Sequence, residues 1–163
     1  MELLEKNWKM DKKDWKNSYG KQFQFEDIVD TINKFPKAQI HIGTDSHFKS
    51  GKLIYATVIA IYSPGLCSKY FFKRTKESSN KKLSLKLRLL KEVNDSINTA
   101  AELRDNLCMS RNISIHADIS ENKKNKSNIV CDQAKNWIKA MGFDCKMKPI
   151  SWASSSIADL HAK

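Results

Sequence analysis

QIHIGTDSH, residues 39–47, is the stretch on which the reading of this chain turns. Strand side chains alternate with period two, so Ile40, Ile42 and Thr44 fall on one side and His41, Gly43 and Asp45 on the other. The pattern predicts a strand over Gln39–Asp45. Gly43 leaves room for another backbone or a ligand to come close. Asp45 stands at the carboxyl end, where open α/β sheets keep their sites. The plainer alternative is an acid that starts a turn by bonding nearby N–H groups.

Before this strand, Phe25, Ile28, Val29, Ile32 and Phe35 recur at helical spacing, and Pro36 ends the helix. After it come the turn SHFKSGK, a strand Leu53–Tyr62 rich in β-branched and aromatic residues, the turn Ser63-Pro64-Gly65, and a third strand Leu66–Lys73. Short connections imply an antiparallel meander. Arg74–Lys82 reads as a polar, basic loop. A long helix follows over about Leu83–Asn106, with Leu83, Leu85, Leu87, Leu89, Leu90, Val93, Ile97, Ala100 and Ala101 in one apolar arc. NISIHADIS, Asn112–Ser120, is a fourth strand, parallel to an earlier one because a helix links them. A helix capped by Ser127 turns Val130, Ala134, Trp137, Ile138 and Met141 inward and ends at Gly142. Phe143–Met147 is a fifth strand, and Ser151 caps a last helix, Trp152–Ala162.

The order is β-β-β-α-β-α-β-α, with one extra helix in front. This is the order of a ribonuclease H-like α/β fold with a mixed five-stranded sheet, helices on its faces and an extra N-terminal helix. The expected division is an N-terminal arm, 1–24, and one domain, 25–163. Trp8 and Trp15 suggest that the arm docks on something, such as the body of the domain; a dimer contact is the other option, and the oligomeric state is left open.

The chain has 163 residues, enough for one domain with a real core. Its net charge of +11, from 29 Lys+Arg against 18 Asp+Glu, favours a polyanionic partner, nucleic acid first and acidic lipid a distant second. A merely Lys-rich composition is the competing reading. No apolar run approaches the roughly 20 residues that span a membrane. The charged first 21 residues lack a signal-peptide core. A cytoplasmic protein without a membrane partner is expected. Cys67, Cys108, Cys131 and Cys145 lack C-x-x-C spacing and read as reduced core thiols, not a disulfide frame or zinc site.

Four acids could converge. Asp45 ends the first strand, and Asp118 lies near the end of the fourth. If those strands are parallel neighbours, both carboxylates meet at one sheet edge. Both strands share the form Ile-His, then Asp, then Ser. Glu92 borders the apolar arc of the long helix; the alternative is an exposed acid paired with Arg88 or Lys91. Asp159, near the end of the last helix, opposes the helix dipole, while small neighbours from Ala153 to Ala158 allow a close approach. Two unit charges 4 Å apart at an effective dielectric near 20 cost about 4 kcal/mol, so such a cluster needs cations. Oxygen ligands suit Mg²⁺ or Mn²⁺, and two ions can assist phosphodiester cleavage.

IGTDSH (Ile42–His47), LRLLKEV (Leu87–Val93), IHADIS (Ile115–Ser120) and KPISWASSSIADLHAK (Lys148–Lys163) together resemble the YkuK-type family, bacterial ribonuclease H-like proteins predicted to be nucleases. The resemblance covers about residues 25–163. It implies a metal-dependent nuclease acting on RNA, DNA or a hybrid and leaving a 5′-phosphate and a 3′-hydroxyl. By the same resemblance Asp45 bridges both metals, Glu92 and Asp118 complete the catalytic and metal-binding set, and Asp159 holds the second ion. His47 departs from the Gln of many relatives; it either contacts substrate or is neutral. Basic clusters containing Lys73, Arg74, Lys81, Lys82, Lys123 and Lys124 are candidate backbone contacts that read no sequence. His41 and His116 are expected to be hydrogen-bonded structural residues, and His161 a solvated terminal one. A non-catalytic nucleic-acid-binding module of the same fold is the alternative function. A structural or regulatory protein whose charge is merely compositional is the more distant one.

Overall fold

The computed structural model describes residues 14–65, 68–78 and 83–163. Trp8, Cys67, Lys81, Lys82 and the start of the expected third strand lie outside the described residues. The elements are β1 (Trp15–Asn17), β2 (Gln22–Phe23), α1 (Phe25–Lys34), β3 (Gln39–Lys49), β4 (Lys52–Tyr62), β5 (Lys69–Ser78), α2 (Leu85–Asn106), β6 (Ile113–Ser120), α3 (Cys131–Ala140), β7 (Asp144–Lys148) and a C-terminal helix. That last helix is π-helical over Ala153–Ala158 and α-helical over Asp159–Ala162 (α4).

All strands join one mixed sheet in the order β2-β1-β5-β4-β3-β6-β7. It has seven strands, not five. Two short ones from Trp15–Phe23 extend the edge beyond β5, where Lys16 pairs with Phe72 and Asn17 with Phe71. Trp15 is buried in the core beside Phe25.

Alternation divides the sheet as the apolar residues require. Ile40, Ile42, Ile59, Ile113 and Ile115 meet Leu89, Val93 and Ile97 of α2 in the main core. Ile28 and Ile32 of α1 and Ala134 and Ile138 of α3 join that same core. The other face has a smaller one, in which Val58 and Ala60 meet Ala158, with Phe72, Tyr70 and Trp152 around them. The C-terminal helix covers this second face. No described helix is long and apolar enough to cross a membrane.

Several expected boundaries move. β3 continues past Asp45 to Lys49, because β4 pairs with it from Gln39↔Tyr62 to Lys49↔Lys52. The tight turn at Ser50 and Gly51, both at positive φ, joins the two strands. Residues 74–78 are strand, not loop, since β4 also pairs with β5 as far as Lys52↔Ser78. Leu85 and Leu87, expected inward, are exposed in the first turn of α2, and Met141 is exposed past the end of α3. Ser127 does not cap α3; a 3₁₀ segment over residues 126–130 precedes that helix, and the Ser127 hydroxyl accepts from the Ser120 N–H. Cys108 is exposed, where a core thiol was expected.

Candidate metal centre

β3 is the strand at which the sheet changes direction. It runs antiparallel to β4 along its whole length and parallel to β6 over Ile40–Gly43 only. The last parallel rung is Gly43↔His116. Beyond it the two strands part, leaving a crevice at their carboxyl ends, the usual place for a site in such sheets. Asp45 and Asp118 each stand two residues past that rung. The β6–β7 ladder is irregular between His116 and Ser120, so Asp118 sits in a locally distorted strand.

Asp159 comes to this crevice because Gly43 lets the C-terminal helix descend. A Cβ on Gly43 would lie 2.5 Å from the Ser154 nitrogen and 2.8 Å from the Ala153 carbonyl carbon. Ser151 starts the helix through its carbonyl, which accepts from the Ser154 and Ser155 N–H groups; its own hydroxyl is buried without a partner. The π-helical turn then sets Asp159 within hydrogen-bonding reach of Asp45.

Burial pushes the Asp45 carboxyl up to about 7; Asp118 and Asp159 add to this, while the Ser46 N–H pulls the other way. Glu92 approaches from the α2 face and is buried. Its carboxylate accepts from the Ser46 hydroxyl at 2.5 Å. Burial first and Asp45 second push it up to about 8, against the hydrogen bond from Ser46 and the charge of Arg88. Arg88 does not pair directly with Glu92, one helical turn on. Its guanidinium donates to the Ser46 carbonyl at 2.8 Å and to the Ser46 hydroxyl. Three of the four acids thus meet on the C-terminal-helix face, and Glu92 stands behind them, across β3.

Two cations keep company with the acids, and neither was expected from the sequence. Lys148 Nζ lies 3.0 Å from Asp118 Oδ1, and Lys163 Nζ lies 2.7 Å from Asp159 Oδ2. Lys163 stands four residues past Asp159, the spacing of a helical ion pair, so that partner had a signal in the sequence; only the folded chain brings Lys148 beside Asp118. The Lys148 contact is not aligned as a hydrogen bond, so Asp118 Oδ1 is a buried oxygen without a hydrogen-bonding donor. Among the described residues, no group of three or more His, Cys, Asp or Glu side chains is gathered closely enough to hold a metal ion. The donor chemistry nevertheless suits Mg²⁺ or Mn²⁺: all ligand atoms are carboxylate oxygens, two acids resist ionisation, and one oxygen is orphaned. The fit requires Lys148 and Lys163 to yield their partners.

The other candidates separate cleanly. His47 is exposed on the face of Asp45. Lys73 and Arg74 are neighbours on a strand and so point oppositely. Arg74 lies in the cross-strand row Asp45–Ala56–Arg74. Lys73 lies in the row of Thr44 and Thr57 on the α2 face, 3.5 Å from Asp14. Lys123 and Lys124 are exposed in the loop after β6, which is tied to Ser120 by Asn122 and Asn125. His161 is not solvated: it stacks on Phe72 at 3.6 Å between ring centroids and bonds Tyr70 Oη at 3.0 Å.

His41 and His116 precede the acids on the same face; His41 is level with Ser114 and His116 with Gly43, so the two rings meet diagonally. The Ala153 N–H donates to His116 Nδ1. That fixes His116 Nε2 as the donor to His41 Nδ1, at 2.9 Å, and His41 Nε2 as the donor to Gln39 Oε1, at 3.1 Å. Burial holds His116 down to about 3 and His41 to about 4, so both rings are neutral. Trp152 packs on both.

A mixed sheet whose central strand pairs antiparallel on one side and parallel on the other, with acids at the parting, is the plan of a ribonuclease H-like domain. The Ribonuclease H-like family model matches residues 24–163, and the chain belongs to that family. No curated protein matches it.

Proposed function

We propose that this protein is a metal-dependent nuclease that hydrolyses phosphodiester bonds of RNA or DNA with two Mg²⁺ or Mn²⁺ ions. The observation that carries the reading is the mutual repulsion of Asp45, Asp118, Asp159 and Glu92 at one sheet edge, an arrangement that costs stability unless cations relieve it. Family membership supports nucleic acid as the partner, and the resemblance to YkuK-type proteins supports the same four acids.

Asp45, Asp118 and Asp159 would hold the ions, with Glu92 completing the set from behind β3. The ions would supply activation of water and stabilisation of the leaving oxygen. Arg88 fixes Ser46, and Ser46 fixes the Glu92 carboxylate. Lys148 and Lys163 offset the acids until a cation replaces them. His47, Arg74, Lys123 and Lys124 stand where a phosphate backbone would pass.

The test is cleavage of a labelled panel in Mg²⁺ or Mn²⁺: RNA–DNA hybrid, single strands, duplexes and a branched junction, with wild type and Asp45→Asn side by side. Cleavage by wild type alone supports the enzyme and names its substrate class. Equal cleavage by both overturns the assignment of Asp45. The second reading, a non-catalytic nucleic-acid-binding module, is favoured by the lysines already seated on Asp118 and Asp159. Salt-sensitive binding without cleavage would establish it.

A further inference from the structure

The sheet face beyond Asp45 is sorted by charge. On the C-terminal-helix side, β3 presents His47 and Lys49 after Asp45, β4 presents Lys52 and Ile54, and β5 presents Arg74 and Lys76. Lys49, Lys52, Arg74 and Lys76 are exposed. The acid of this stretch, Glu77, lies in the row of Leu53 and Phe48, on the opposite face. Alternation thus takes the mixed sequence KRTKE, residues 73–77, and shows only its basic members, Arg74 and Lys76, to the side of the acids.

The rows fix the dimensions. Arg74 is two strand spacings from Asp45, about 10 Å. The row His47–Ile54–Lys76 lies about 7 Å further along the strands, and Lys49–Lys52 about 14 Å along.

We propose that this face, led by Arg74 and Lys76, seats the sugar–phosphate backbone of a nucleic acid running from the acids toward the Ser50-Gly51 hairpin. The proposal rests on the nuclease reading for its partner and adds a direction and a length. The substrate must extend several nucleotides to one side of the acids, and Lys73, in the same basic run, takes no part.

The test is fluorescence anisotropy with labelled 20-nucleotide single-stranded RNA and DNA in EDTA, over a salt titration. Wild type, Arg74→Ala/Lys76→Ala and Lys73→Ala are compared after circular dichroism shows each to be folded. The double variant is expected to bind several-fold more weakly, with a log–log salt slope shallower by about 1.4, roughly 0.7 for each phosphate no longer neutralised. Lys73→Ala is expected to bind as wild type. Because the double variant removes two charges and Lys73→Ala one, weakening by Lys73→Ala of half the double variant's or more reduces the effect to bulk charge and overturns the proposal, as does unchanged binding by the double variant. Because EDTA removes cleavage from the readout, a failed cleavage panel with a weakened double variant would sink the enzyme and leave this surface standing.

Discussion

Two pairs of side chains on the same face of β3 and β6 behave oppositely. His41 and His116 form a closed chain of donors and acceptors from the Ala153 N–H to the Gln39 side chain. Asp45 and Asp118 follow on the same face, four residues past His41 and two past His116, and Asp118 adds to the cost of ionising Asp45. Neutral imidazole is donor and acceptor at once, so two of them satisfy each other in a buried place. Two ionised carboxylates are acceptors only, and cannot. The histidine pair is therefore framework, and the acid pair carries a cost that the histidines avoid.

The largest expected difference between the two pairs is in activity. Asp45→Asn and Asp118→Asn should each lower cleavage by at least about a hundredfold, the upper end for residues that only support metal ligands. His116→Leu should leave the cleavage rate per folded molecule within a few-fold. A hundredfold loss there as well would merge the two pairs into one site.

Next comes the feature on which both pairs depend. Gly43→Ala drives a methyl group into the backbone of Ala153 and Ser154. Urea unfolding should show a loss of about 1–3 kcal/mol, the usual penalty of overpacking. Unchanged stability would mean that the C-terminal helix is free to retreat. His116→Leu should cost a comparable 1–3 kcal/mol, since it strands the Ala153 N–H and one face of His41.

The pH dependence separates the histidines from the acids by sign. The folded-state values of His41 and His116 lie below 6.5, so their contribution is full above pH 6.5 and is lost as pH falls toward 4 and 3. Asp45 and Glu92 are raised to about 7 and 8, so the stability linked to them is greatest below about pH 4 and is lost as pH rises through those values. The two trends oppose each other between pH 4 and 6.5. Between pH 6.5 and 8.5, in EDTA, only the acids contribute, and thermal melting should show stability falling. Asp45→Asn should flatten that limb; an unaltered slope would free Asp45 of responsibility for it.

The smallest effect is that of the ion itself. Mg²⁺ should raise the melting temperature of the wild type, by about 2–4 °C for each kcal/mol of linked binding. The rise should be smaller in Asp45→Asn and undiminished in Lys73→Ala. Equal shifts in wild type and Asp45→Asn would count against Asp45 as a ligand.

Much of this plan is written in short-range patterns. Alternation in QIHIGTDSH and NISIHADIS set each histidine and aspartate opposite the isoleucines, and the intervening helix made the strands parallel. The faces of Ile40, Ile42, Ile113 and Ile115 agree with that reading. What escaped was decided at longer range. β1 and β2 span only Trp15–Asn17 and Gln22–Phe23, too short for any period to register. The tail of β5, charged enough to read as loop, is strand because β4 offers it a ladder. Leu85 and Leu87 obeyed the helical wheel yet had no sheet beneath them. At the candidate centre, the acids were legible as strand-end and helix-border residues. Lys148 and the Arg88–Ser46 clamp were not, because each meets its partner only through the folded chain, whereas Lys163, four residues past Asp159, was legible as a helical ion pair.

The hairpin of β3 and β4 makes the whole device a matter of parity. The groups on the crevice side of β3 carry odd numbers, and the even ones look toward α2. A single residue inserted between Gly43 and Asp45 would exchange the two sets, turning Asp45 and His47 into the main core and Ser46 out toward the C-terminal helix. Insertion of two would restore the sides and only lengthen the reach. Across related chains, length changes in this stretch should therefore come in pairs, while the loops that follow β6 are free to vary by any count.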